Sequence, residues 1–108
     1  GMPLYMVQAS YTPQAIAAMI KSPQDRTEAI RTLAEGAGGQ VRDVFFSQGD
    51  YDVVVLYEAP DAEAANAIAL AAIAPGHLKA FKTTPLFTGA EIMGAMRRAG
   101  QLTMRPPS

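Results

Sequence analysis

The chain has 108 residues, 49% of them apolar, which provides for one hydrophobic core and hence a single domain over residues 1–108. Its formal net charge of -1, with acids and bases mixed along the sequence, supplies no field that would draw in nucleic acid or an anionic membrane surface. With no cysteine, a disulfide, a thiolate metal site and a cysteine nucleophile are all excluded.

Leu4 to Ala9 carries no helix signal ahead of it and reads as a first strand. Thr12 then caps a helix with Pro13 at its first position, and Ile16, Met19 and Ile20 form its apolar stripe. Ser22 and Pro23 repeat that start signal, with Asp25 completing a capping-box variant, so the helical region breaks in two. Ile30, Leu33 and Ala37 continue the apolar face, and Arg31 and Glu35 stand one turn apart on the solvent side. Gly36, Gly38 and Gly39 end this helix through left-handed backbone.

Val41–Ser47 and Tyr51–Glu58 are β-branched and aromatic runs separated by Gln48, Gly49 and Asp50, which predicts an antiparallel hairpin. Pro60 and Asp61 start the next helix. Its Ala65, Ile68, Ala69 and Ala72 face imposes close backbone approach, and Pro75 and Gly76 end it. His77 to Thr84, bounded by Pro85, is a fourth strand. Thr88 and Glu91 form a capping box for a final helix through Arg98, and the residues after Gly100 read as a frayed tail. Arg97, Arg98 and Arg105 are the cationic end of that helix and its tail.

Gly1 ahead of Met2 reads as a residue left by expression. No charged and apolar leader opens the sequence, so a cytoplasmic location is expected. The Ala-rich run Ala62–Ala74 is too short to span a bilayer and is interrupted by Glu63 and Asn66.

The order strand, helix, strand, strand, helix, strand is the ferredoxin-like βαββαβ arrangement: an α+β fold with a four-stranded antiparallel sheet and an extra C-terminal helix. Both main helices of such a fold lie on one face of the sheet, so the other face of a monomer should be polar. Here it is not. Tyr51, Val53, Val55 and Tyr57 alternate with Asp52, Val54, Leu56 and Glu58, and Tyr5, Val7 and Ala9 alternate with Leu4 and Met6. Phe45 likewise stands between Val44 and Phe46. A second copy is the simplest cover for such a face. The stripe of Ile92, Met93 and Met96 on the last helix is narrow and better suited to an edge or a neighbour.

Gly49-Asp50-Tyr51-Asp52, followed by Val53-Val54-Val55 and Glu58-Ala59-Pro60-Asp61, resembles the GYD-domain family. Tyr5, the Ser22-Pro23 break, Arg26, Leu33-Ala34-Glu35, Gly38-Gly39 and the Ala-rich helix extend the resemblance over Pro3 to Phe87. It implies a dimeric α/β barrel in which two sheets face each other. It implies no agreed reaction, because similar barrels serve as cofactor-free monooxygenases, as lyases or isomerases, and as effector-binding modules of regulators.

Gly49 and Asp50 suit the positive φ angles of a hairpin turn, and Asp52 is placed to satisfy backbone N–H groups there or to face a cleft at a subunit boundary. Tyr5, Tyr11, Tyr51 and Tyr57 each carry a phenol that needs a partner when buried and can orient a ligand. His77, the lone histidine, is a surface or capping residue, or else the weak catalytic candidate, acting with Tyr5 or Tyr11 as the sole acid–base combination in view. One histidine without cysteine argues against a metal site, and no cofactor is expected. Gly36–Gly39 follows a helix instead of opening one, which does not suit a phosphate cradle.

The ligand-binding candidates are therefore Tyr5, Tyr11, Tyr51, Asp52 and His77. The favoured reading is an oligomeric small-molecule-binding module that partners itself. The alternatives are a cofactor-free enzyme (monooxygenase, isomerase or lyase) acting on a small apolar or aromatic compound with a base deep in a cavity, and a purely structural self-assembling protein with no cavity at all.

Overall fold

The computed structural model describes residues 1–108. Along the chain run β1 (Leu4–Tyr11), α1 (Pro13–Lys21), α2 (Thr27–Gly36), β2 (Gln40–Phe46), β3 (Val53–Glu58), α3 (Ala62–Ile73), β4 (Leu78–Leu86) and α4 (Gly89–Ala99). The strands form one antiparallel sheet in the order β2-β3-β1-β4, as the ferredoxin-like reading requires. No helix is long and apolar enough to cross a membrane.

The expected alternation sets the core. Tyr5, Val7 and Ala9 of β1 stand opposite Tyr57, Val55 and Val53 of β3, and all six are buried under Ala34 of α2 and Ala65 and Ile68 of α3. Tyr5 and Tyr57 stack with ring centroids 5.4 Å apart. A register shift between Val41 and Asp43 puts Val41 and Val44 on this same face and turns Phe45 to the other.

The opposite face carries Leu4, Met6, Val54, Leu56, Phe45 and Leu86 across the sheet, rimmed by Asp43, Glu58 and Lys82. α4 does not cover it. That helix buries no residue and packs extensively on no other element. The chain therefore measures 57 × 36 × 22 Å, with a radius of gyration of 17.2 Å against about 13 Å for a compact domain of this size. Phe87, Met96, Leu102 and Met104 along this arm are exposed.

Side-chain caps open three of the four helices. Thr12 and Asp61 accept from the N–H groups of Ala15 and Ala64, and Thr88 and Glu91 complete a reciprocal capping box. The start of α2 differs from expectation. Ser22 closes α1, and α2 begins at Thr27, whose N–H donates to Asp25 Oδ1 at 2.9 Å. Arg31 pairs with Glu28 at 3.4 Å instead of Glu35. β4 continues through Pro85 because it is an edge strand, where a missing N–H breaks no ladder bond. Between β2 and β3 only Gly49 takes a positive φ, of 114°; Asp50 does not.

Gly39 is fixed by contact, with no need of a positive φ. A Cβ there would run into the carbonyl oxygen of Glu58 and lie 3.2 Å from that of Ala34. Both obstacles are backbone, so neither can swing away. Gly39→Ala is expected to lower stability by about 2–3 kcal/mol. The reading is a lower urea midpoint at constant slope, and an unshifted midpoint would contradict the close approach.

Candidate functional site

Small side chains bring α2 and α3 onto the sheet but do not fill the space between them. A cavity of about 90 Å³ remains, lined only by apolar and tyrosyl side chains, including Val7, Tyr11, Ile30, Val55, Tyr57 and Phe81. Protein interiors are normally close-packed.

The cavity adjoins a shallower cleft of about 190 Å³, which shares Tyr11, Ile30, Leu33, Ala72 and Leu78 with it and adds Arg26, Ala29, Ala71, Pro75 and His77. Tyr11 and Arg26 also line a wide groove of about 720 Å³ on the α1 side, together with Met19, Phe46 and Asp52. Tyr11 is thus the common wall between the internal cavity and the outer surface.

Its position is held by the hairpin loop. The Asp52 carboxylate accepts the Tyr11 backbone N–H at 2.8 Å, Asp52 N–H donates to Ala9 O at 2.8 Å, and the buried Ser10 hydroxyl donates to Asp50 O at 2.7 Å. Asp52 therefore does satisfy a backbone donor. The donor belongs to the end of β1, where the register shifts between Ser10 and Tyr11, and not to the turn itself. Burial raises the pKa of the Tyr11 phenol, with Arg26 opposing and Asp52 adding to the rise.

The remaining candidates scatter. Tyr5 is buried behind Tyr57 and does not line the cavity. Tyr51 sits in the loop, where its carbonyl accepts the Ser47 hydroxyl, outside the clefts around Tyr11. His77 is exposed on the rim, its carbonyl accepting the Thr12 N–H at 2.9 Å, so it is not a base deep in a cavity. No group of three or more His, Asp or Glu side chains is placed to hold a metal ion.

Sequence reasoning did not single out Arg26 or the wall residues Leu78 and Phe81 as site residues. Arg26 is half-buried, and the hydrogen bond it makes is to Gln24 Oε1 at 3.1 Å. The ion pairs of the fold are Arg31–Glu28 and Arg42–Glu58, so its guanidinium has no carboxylate partner.

The GYD-domain family model matches residues 5–96. This chain belongs to the GYD-domain family. Solved structures share its fold: MtbAldR, with a TM-score of 0.63 and 22% identity over 82% of this chain and 54% of that one; and TTHA0845 from Thermus thermophilus, with a TM-score of 0.53 and 19% identity over 82% of this chain and 96% of that one. The GYD chain thus spans about half the length of MtbAldR. None of the curated proteins compared with it is similar in sequence.

Tyr57 gives this GYD domain an alkaline limit. Its hydroxyl is buried without a hydrogen-bond partner, and burial, with Tyr5 adding, pushes its pKa from 10.0 to about 12. Because the folded value lies above the unfolded one, the neutral phenol's contribution is intact below pH 10 and is lost as pH rises from 10 toward 12. Tyr57→Phe is expected to flatten that decline and to raise stability at neutral pH by about 1 kcal/mol, since an orphaned polar atom is removed. Thermal melts across pH 8–12 check both, and identical profiles for the two proteins would contradict the assignment.

Proposed function

We propose that this chain is a small-molecule-binding module whose ligand occupies the cavity between the sheet and helices α2 and α3. The observation that carries this reading is the unfilled apolar cavity, half-walled by β1 and β3 and opening beside Tyr11 and Arg26. A ligand there recovers the contacts that the small core side chains leave unmade. Binding is favoured over catalysis because no Asp, Glu or His lines the cavity, leaving no general base at its floor. A purely structural protein has no reason to keep the space open.

The module works as an assembly with itself. The apolar face built on Met6, Val54 and Leu56 has no helix over it, and a second copy presenting the same face covers it in one symmetric step. α4, which packs extensively on no element of its own subunit, is then free to reach the neighbour.

Protein purified from its own host is expected to retain a small organic molecule on each subunit in native mass spectrometry. Ala72→Leu, which fills the cavity mouth, should abolish retention without unfolding the domain; bare subunits throughout would remove the reading. Sedimentation at micromolar concentration is expected to give a dimer or larger species, and Leu56→Glu a monomer. A folded, unmodified monomer at that concentration would leave the open face without a role.

A further inference from the structure

The mouth of the cavity is chemically one-sided. Beyond the apolar floor, the adjoining cleft carries Arg26 and His77 with the Tyr11 wall, and no Asp or Glu lines either space. Arg26 is half-buried, holds no carboxylate and makes its hydrogen bond to the neutral Gln24 side chain. A guanidinium presents five donors in a planar fork, so most of this one's capacity is unspent. Partial burial strengthens its pull on an anion relative to a free surface arginine. Arg26 and Tyr11 also line the wide groove on the α1 side, whose carboxylates, Asp25 and Asp52, each already accept a backbone N–H, from Thr27 and Tyr11.

We infer, resting on the binding reading above, that the ligand is a short aliphatic monocarboxylate held with its carboxylate on Arg26 and its hydrocarbon end in the cavity. Size follows from the volume. Benzene is accommodated by a cavity of about 150 Å³, so the 90 Å³ here suits a chain of about three or four carbons beyond the carboxylate. The planar fork matches a carboxylate bidentately, and the orientation is fixed because a charged group cannot enter the apolar floor. His77, tied beside Tyr11 through the Thr12 N–H, stands on the rim as a second donor.

The test compares 3-methylbutanoate with two isosteres, neutral 3-methylbutanamide and cationic 3-methylbutylamine, titrated into the intact protein. Methyl resonances of Ile30 and Ile68 report the cavity, and the imidazole of His77 reports the rim. The acid is expected to bind at least tenfold more tightly than the amide, and the amine not to bind. Arg26→Gln should erase the preference, the acid then binding no more tightly than the amide, and Arg26→Lys should keep part of it, which preserves the comparison should the glutamine variant not fold. Equal binding of acid and amide to the unaltered protein, or a preference that survives Arg26→Gln, would overturn the carboxylate assignment and leave the cavity as a binding site. Binding of none of the three would remove both.

Discussion

The end of β1 is clasped by the loop that joins β2 to β3, and the geometry around the cavity follows from that clasp. Ser10, Tyr11 and Ala9 each contribute a hydrogen bond to residues Asp50–Asp52, roughly forty positions further along the chain. The bond to the Asp52 carboxylate is charge-assisted and is worth about 1.5–3 kcal/mol. It captures a backbone donor at the very place where the β1–β4 register slips, so the irregularity costs no buried, unsatisfied N–H. Tyr11 is thereby presented to the cavity, the cleft and the groove at once. The motif that carries the family resemblance is thus first a device for holding one tyrosine.

The openness of the interior has a compositional cause. Ala9, Ala34, Ala59 and Ala65 are among the buried residues, and Ala72 stands at the mouth. Alanine lets helix and sheet backbones come close, yet it offers little volume to fill the gaps between the larger valines and tyrosines. The sheet's other face has the reverse character, with leucine, methionine and phenylalanine and no layer over them. One side of the sheet has cover without complete filling; the other has bulk without cover.

Much of this could be read from residues alone where the controlling interaction is local. The caps at Thr12, Asp61 and Thr88 depend on side chains three positions from their partners, and the two-sided apolar pattern of β1 and β3 is visible in the alternation itself. What could not be read depends on distant contacts. Ser22 and Pro23 look like a helix start, but the chain instead continues without regular structure to Asp25, whose carboxylate takes the first N–H of α2. Pro85 looks like a strand end only until β4 is known to be an edge. Asp52 looks like a turn residue because its true donor is forty-one positions away. The cavity had no signature, since a void is an absence of atoms, and Arg26 entered only as part of the family resemblance; it is unpaired like Arg97, Arg98 and Arg105 and differs from them in being half-buried.

The proline in β4 also sets what that edge of the sheet can pair with. An outermost strand normally offers a row of unpaired amides on which a foreign strand can template, the route by which sheets grow into fibres. Here that border is interrupted by a ring nitrogen with nothing to donate at Pro85, and it carries the charges of Lys79 and Lys82. Lateral extension of the sheet across β4 is therefore disfavoured, while its broad greasy surface has no such interruption. That border is a poor template for a foreign strand, whatever the broad apolar surface of the sheet meets.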